Sequence, residues 1–136
     1  YHVTLWHKDE RDELNKPSGW GVNVSFARFV DDTWMPFLRA GWSDDGDSLL
    51  ETSISTGVGY RLRKNRDLIG LGLNWGKPNP KQGAGNDDQY AAELFYRLLI
   101  GKRVQATADL QYIRDPAANP GEDSIWILGA RARVAF

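Results

Sequence analysis

The chain has 136 residues, enough for one domain with no linker or second core. Seventeen Lys and Arg nearly balance eighteen Asp and Glu, leaving a net charge of -1 and no polybasic signal for nucleic acid or anionic membrane; the lack of cysteine excludes disulfides and thiolate metal sites. A mean hydropathy of -0.51, with no apolar run near the roughly 18 residues of a membrane helix, excludes helical spans. It does not exclude a membrane barrel, because barrel strands alternate each lipid-facing residue with a polar one.

Short alternating segments recur along the whole chain, the pattern of an all-β fold. In Tyr1–Lys8 the residues Tyr1, Val3 and Leu5 oppose His2, Thr4 and Trp6. This start has no basic region followed by an apolar core, so no signal peptide is visible and an exported protein would be mature or truncated here. After the charged loop KDERDELNKPSG, a second strand sets Trp20, Val22, Val24 and Phe26 against Asn23, Ser25 and Ala27. A tight link through Asp31 and Asp32 leads to a third, with Trp34, Leu38, Ala40 and Trp42 against Met35, Phe37, Arg39 and Gly41. Pro36 weakens that run, since proline donates no ladder hydrogen bond.

Beyond the loop SDDGDS, Thr52, Ile54, Thr56, Val58 and Tyr60 oppose Ser53, Ser55, Gly57, Gly59 and Arg61. The turn RKNRD precedes a fifth strand, Ile69, Leu71, Leu73 and Trp75 against Gly70, Gly72 and Asn74, and the longest loop, GKPNPKQGAGNDD, follows it. The sixth sets Tyr90, Ala92, Leu94, Tyr96 and Leu98 against Ala91, Glu93, Phe95 and Arg97. AAELFYRLLI also contains helix formers, but period two fits better and Gly101 bounds the run early. After IGKR, Val104, Ala106, Ala108, Leu110 and Tyr112 oppose Gln105, Thr107, Asp109 and Gln111; RDPAANPGED then leads to SIWILGARARVAF. In that last strand Trp126, Leu128, Ala130, Ala132, Val134 and Phe136 form an unbroken apolar face, and Arg131 and Arg133 lie on the other.

Alternation alone leaves open whether the apolar face is core, as in a soluble barrel, or meets lipid. Three features favour lipid. Links after the first, third, fifth and seventh strands read as long and the others as short, as in outer-membrane barrels with external loops and periplasmic turns. Trp20, Trp42, Trp75, Tyr90, Tyr112 and Trp126 all fall on the apolar face at the long-loop ends, while Phe26, Trp34, Tyr60, Tyr96 and Phe136 fall toward the short-turn ends, two rings placed as interface girdles. The polar face carries Gly57, Gly59, Gly70 and Gly72, which a lumen needing clearance for solute explains better than a solvent-facing strand does. The expectation is a transmembrane antiparallel up-and-down β-barrel of about eight strands, one unit over residues 1–136, with long loops extracellular and both termini periplasmic.

Candidate site residues follow from the inward parity. Arg39, Glu93, Arg97, Asp109, Arg131 and Arg133 are the pore-lining charges, either salt-bridging the wall or donating to solute. Consecutive hairpins would put Glu93, Asp109 and Arg131 at one height, with Arg97, Gln105 and Arg133 below them, and Asp109 and Glu93 would hold the arginines. The two histidines, His2 and His7, lack the partners of a metal site or a triad, and neither has the adjacent serine that a barrel acyl hydrolase requires. Asp44, Asp45, Asp47, Asp87 and Asp88 lack EF-hand spacing and read as solvated charge. No enzyme, metal or cofactor is expected.

The residues GWGVNVSFARF, GVGYRL and AELFYRLLIGKRVQATADLQYIRDPAANP, with the terminal ARVAF, resemble the carbohydrate-selective porins of the OprB family. The resemblance covers nearly all of this chain but only the C-terminal part of such a porin. It implies half of a larger barrel of about sixteen strands in a bacterial outer membrane, passive diffusion, and sugars as the favoured solutes. The expected partners are outer-membrane lipid, monosaccharides or other small sugars, and further copies in a homo-oligomer such as a trimer; no nucleic acid is expected. The other reading is a small closed eight-stranded barrel with a structural or adhesion role, whose interior side chains would have to fill.

Overall fold

A computed structural model describes residues 1–10, 17–45, 48–62, 67–82, 87–101 and 103–135, so Asp47 and Phe136 lie outside the described residues. Eight strands follow in order: β1 (His2–Lys8), β2 (Gly19–Ala27), β3 (Trp34–Asp45), β4 (Leu50–Arg61), β5 (Leu68–Pro78), β6 (Gln89–Ile100), β7 (Val104–Arg114) and β8 (Ser124–Val134). Each pairs antiparallel with the next in a single sheet of order β1 to β8. β6 is a strand throughout, and among the paired residues the alternating faces read from the sequence are preserved in the register. Among the described residues β1 and β8 do not pair, so the sheet is open, whereas a closed eight-stranded barrel would join them.

Local chemistry explains the connections. Val30 to Thr33 form a tight turn in which Asp31 and Asp32 both have positive φ, 51° and 52°, and the Thr33 amide donates to the Val30 carbonyl at 3.1 Å. Two left-handed central residues give the mirror-image turn whose twist suits a hairpin, and aspartate tolerates that conformation. Pro36 interrupts nothing. Its carbonyl accepts from the Arg28 amide at 3.4 Å, so its missing donor faces β2 beyond the last paired residues, Ala27 and Phe37.

The links 9–18, 79–88 and 115–123 are long, and 28–33, 62–67 and 101–103 are shorter. The link after β3 departs from the expected pattern. Only residues 46–49 separate the strands, because β3 continues through Asp45 and β4 begins at Leu50, with a register shift between Leu50 and Thr52.

The strands are strongly staggered. The row of directly opposed residues that starts at Phe26 runs through Leu38, Thr56, Leu73, Ala92 and Tyr112 to Trp126. It leaves β2 at its short-turn end and reaches β8 near its long-loop end, the offset required when strands tilt around a barrel axis. Accessible surface is 9786 Å², against about 7,100 Å² for a compact folded monomer of this mass. Among the described residues the buried apolar side chains are few: Leu68 and Ala117, with Pro78 and Pro116. This sheet does not fold its apolar face into a core of its own.

Candidate pore wall

The polar face is the concave one. Ser25 of β2 and Gln111 of β7 border one cavity of about 600 Å³. Five strand spacings would separate them by roughly 24 Å in a flat sheet, so the sheet curls toward that side.

Inward glycines stand directly opposite large inward side chains. The pairs are Trp6 with Gly21, Asn23 with Gly41, Phe37 with Gly57, Met35 with Gly59, Phe95 with Gly70 and Asp109 with Gly129. In five of these pairs the larger side chain occupies the space a Cβ would need; at Gly59 the nearest atoms are those of Leu68, at 3.2 and 3.3 Å, with Met35 at 3.4 Å. A Cβ on Gly57 would lie 2.6 Å from two ring carbons of Phe37, and one on Gly21 would lie 2.6 Å from the Trp6 ring. On Gly70 it would collide with the Phe95 ring. The clearance expected for solute is therefore taken first by neighbouring side chains, which recline on the wall instead of projecting across the lumen.

Three of these glycines form a block with Gly72, because Gly57 opposes Gly72 and Gly59 opposes Gly70. From β3, Phe37 and Met35 reach over it; from β6, Phe95 covers Gly70 and Glu93 stands opposite Gly72. Arg39, two residues beyond Phe37, and Glu93, two before Phe95, line the cavity together with Ser55 and Asn74. The Asn74 side-chain amide donates to Ser53 Oγ and Ser55 Oγ, both at 2.9 Å, which fixes that polar patch.

The other predicted charges lie outside this cavity, and their heights differ from the hairpin estimate. Glu93 opposes Gln111, Asp109 opposes Phe95 and Gly129, and Arg131 shares a row with Thr107, Arg97, Leu68 and Arg61. Glu93, Asp109 and Arg131 thus occupy three successive inward rows. Arg133 lies one inward row further, opposite Gln105. Asp109 leans over Gly129 and accepts from Gln111 Nε2 at 3.2 Å. Among the described residues no carboxylate lies within 4.0 Å of Arg97, Arg131 or Arg133, so Asp109 and Glu93 do not hold the arginines as expected. Phe37 and Phe95 were absent from the candidates, although F-x-R over Phe37–Arg39 and E-x-F over Glu93–Phe95 put each on the charged parity opposite a glycine.

On the convex face the aromatics pair across strands: Trp20 with Trp42 at 4.9 Å, Trp34 with Tyr60 at 4.7 Å and Tyr112 with Trp126 at 4.8 Å between ring centroids. Trp75 Nε1 donates to Asp88 at 3.0 Å, and the Tyr96 hydroxyl donates to Asp67 at 2.9 Å. Their apolar bodies and satisfied polar tips have the form favoured at a membrane–water boundary. Asp44 lies 3.6 Å from Lys81, and His7 lies 3.4 Å from Asp9.

A curled meander with an apolar convex face and a polar concave one is porin wall architecture. Residues 8–136 match the model of the "Carbohydrate-selective porin, OprB family". The chain belongs to the OprB family. Its open sheet is that of a partial porin barrel, and OprB membership places it in the outer membrane. No curated protein and no solved structure matches the chain.

Proposed function

We propose that this OprB chain is one continuous wall segment, half of a barrel of about sixteen strands, through which sugars and other small solutes diffuse passively. The observation supporting a solute path is the cavity on the concave face, where Arg39, Glu93, Ser55 and Asn74 meet over the glycine block. Charged and amide groups fixed on a wall replace part of a sugar's hydration while leaving it free to move on. Long loops face the exterior, and the short-turn end faces the periplasm. Trp20, Trp42, Trp75, Tyr90, Tyr112 and Trp126 mark the outer interface, with Trp34, Tyr60 and Tyr96 toward the inner one. Arg97, Asp109, Arg131 and Arg133 line the path beside the cavity and set its field. Swelling of liposomes holding the assembled pore tests this reading: glucose should enter faster than a neutral amino acid of smaller size. Equal ranking by size alone would show an unselective pore.

A further inference from the structure

The glycine block is a depression with an aromatic ring arriving from each side. Its four residues lack a Cβ, and the rings are half-buried rather than fully packed away. Phe37 reaches across Gly57 until its Cζ would lie 3.5 Å from a Cβ on Gly72, while Phe95 covers Gly70. Both rings therefore converge on β5. Each strand that supplies a ring also supplies a charge two residues away on the same face: Arg39 beside Phe37, and Glu93 beside Phe95. The result is an apolar floor with a guanidinium at one margin and a carboxylate at the other, inside a cavity whose 600 Å³ lies in the range of small-ligand sites.

We infer that Phe37 and Phe95 form a platform for the C–H face of one pyranose ring, with Arg39 and Glu93 engaging its peripheral hydroxyls. The inference rests on the sugar-porin reading and adds a location and a ligand shape to it. A pyranose is amphipathic in the same geometry. Its ring carbons present a flat apolar face, and their polarised hydrogens suit the negative face of an aromatic ring. Its hydroxyls radiate around the edge, where a guanidinium donates and a carboxylate accepts. Charge alone would not require the rings, and ring packing against glycine alone would not require charges of opposite sign on both flanks. An acyclic polyol offers the same hydroxyl groups without the flat face, so the site distinguishes ring from chain.

The native pore provides the first test. Ion current through single channels should be blocked by glucose about three- to tenfold more strongly than by sorbitol, the scale of one aromatic contact. Phe95→Leu, which still fills the notch over Gly70, should raise the half-blocking glucose concentration by a similar factor. Phe95→Tyr should retain block. Equal block by glucose and sorbitol, or unchanged glucose block in Phe95→Leu, overturns the platform while the sugar-porin reading stands. Absence of glucose block in a native pore that also fails to favour glucose in swelling overturns both. The glucose–sorbitol comparison decides the matter even where Phe95→Leu does not assemble.

Discussion

The two faces of β5 invert the usual arrangement of a soluble strand. Gly70 is buried, whereas Leu71 and Leu73 on the opposite face are 48% and 52% exposed. In water such a strand would leave unburied the apolar area that normally drives folding. In a membrane the leucine face has lipid as its partner, and the concave face carries the local packing. That packing consists mostly of cross-strand contacts of a large side chain on a glycine. It holds Trp6, Phe37 and Phe95 close to the wall, so bulky residues line the lumen without filling it. A face solvated by lipid tolerates any apolar shape and rejects charge. A face built from large–glycine pairs tolerates charge and rejects added volume.

The contrast predicts different failures for neighbouring positions. Leu94 is central on the convex face of β6, so Leu94→Arg should have the largest effect. Its cost should be about 2–4 kcal/mol if it lies near the bilayer midplane. Unfolding by urea in lipid vesicles measures this, and a near-neutral result would mean that the face does not meet hydrocarbon. On the concave face Gly57→Val should cost about 1–3 kcal/mol through overpacking, because its Cβ would meet both the Phe37 ring and the Leu71 carbonyl. Gly72→Ala, with only an ordinary 3.5 Å contact, should stay within about 0.5 kcal/mol. Equal costs at the two glycines would remove the pairing argument. Arg131→Ala should change stability least, since no ion pair among the described residues is lost, while shifting ion selectivity toward cations. A reversal potential in a salt gradient reads that shift, and an unchanged value would mean that Arg131 does not contribute to the path's field.

Parity was fully legible in the sequence because a strand's side-chain period is fixed by backbone geometry. Height was not. The offset that carries one row from the short-turn end at Phe26 to the long-loop end at Trp126 accumulates across six strand pairs, and no single segment reveals it. For that reason Glu93, Asp109 and Arg131, placed level by counting residues within hairpins, stand on separate rows. The platform was partly legible: the glycines and charges were visible on one face, but which ring covers which glycine depends on register. The link at 46–49 was misjudged because Ser, Asp and Gly mark a turn whether or not the flanking strands extend into it.

Accessibility along β6 tests the central claim most directly, namely that the convex face meets lipid and the concave face meets water. The chain has no cysteine, so single-cysteine variants from Ala92 to Leu98 can carry one spin label each in the assembled pore. The account predicts alternation: labels at 93, 95 and 97 relaxed by a water-soluble nickel complex, and labels at 92, 94, 96 and 98 relaxed by oxygen dissolved in lipid. Reversed alternation, or no period of two, would contradict it.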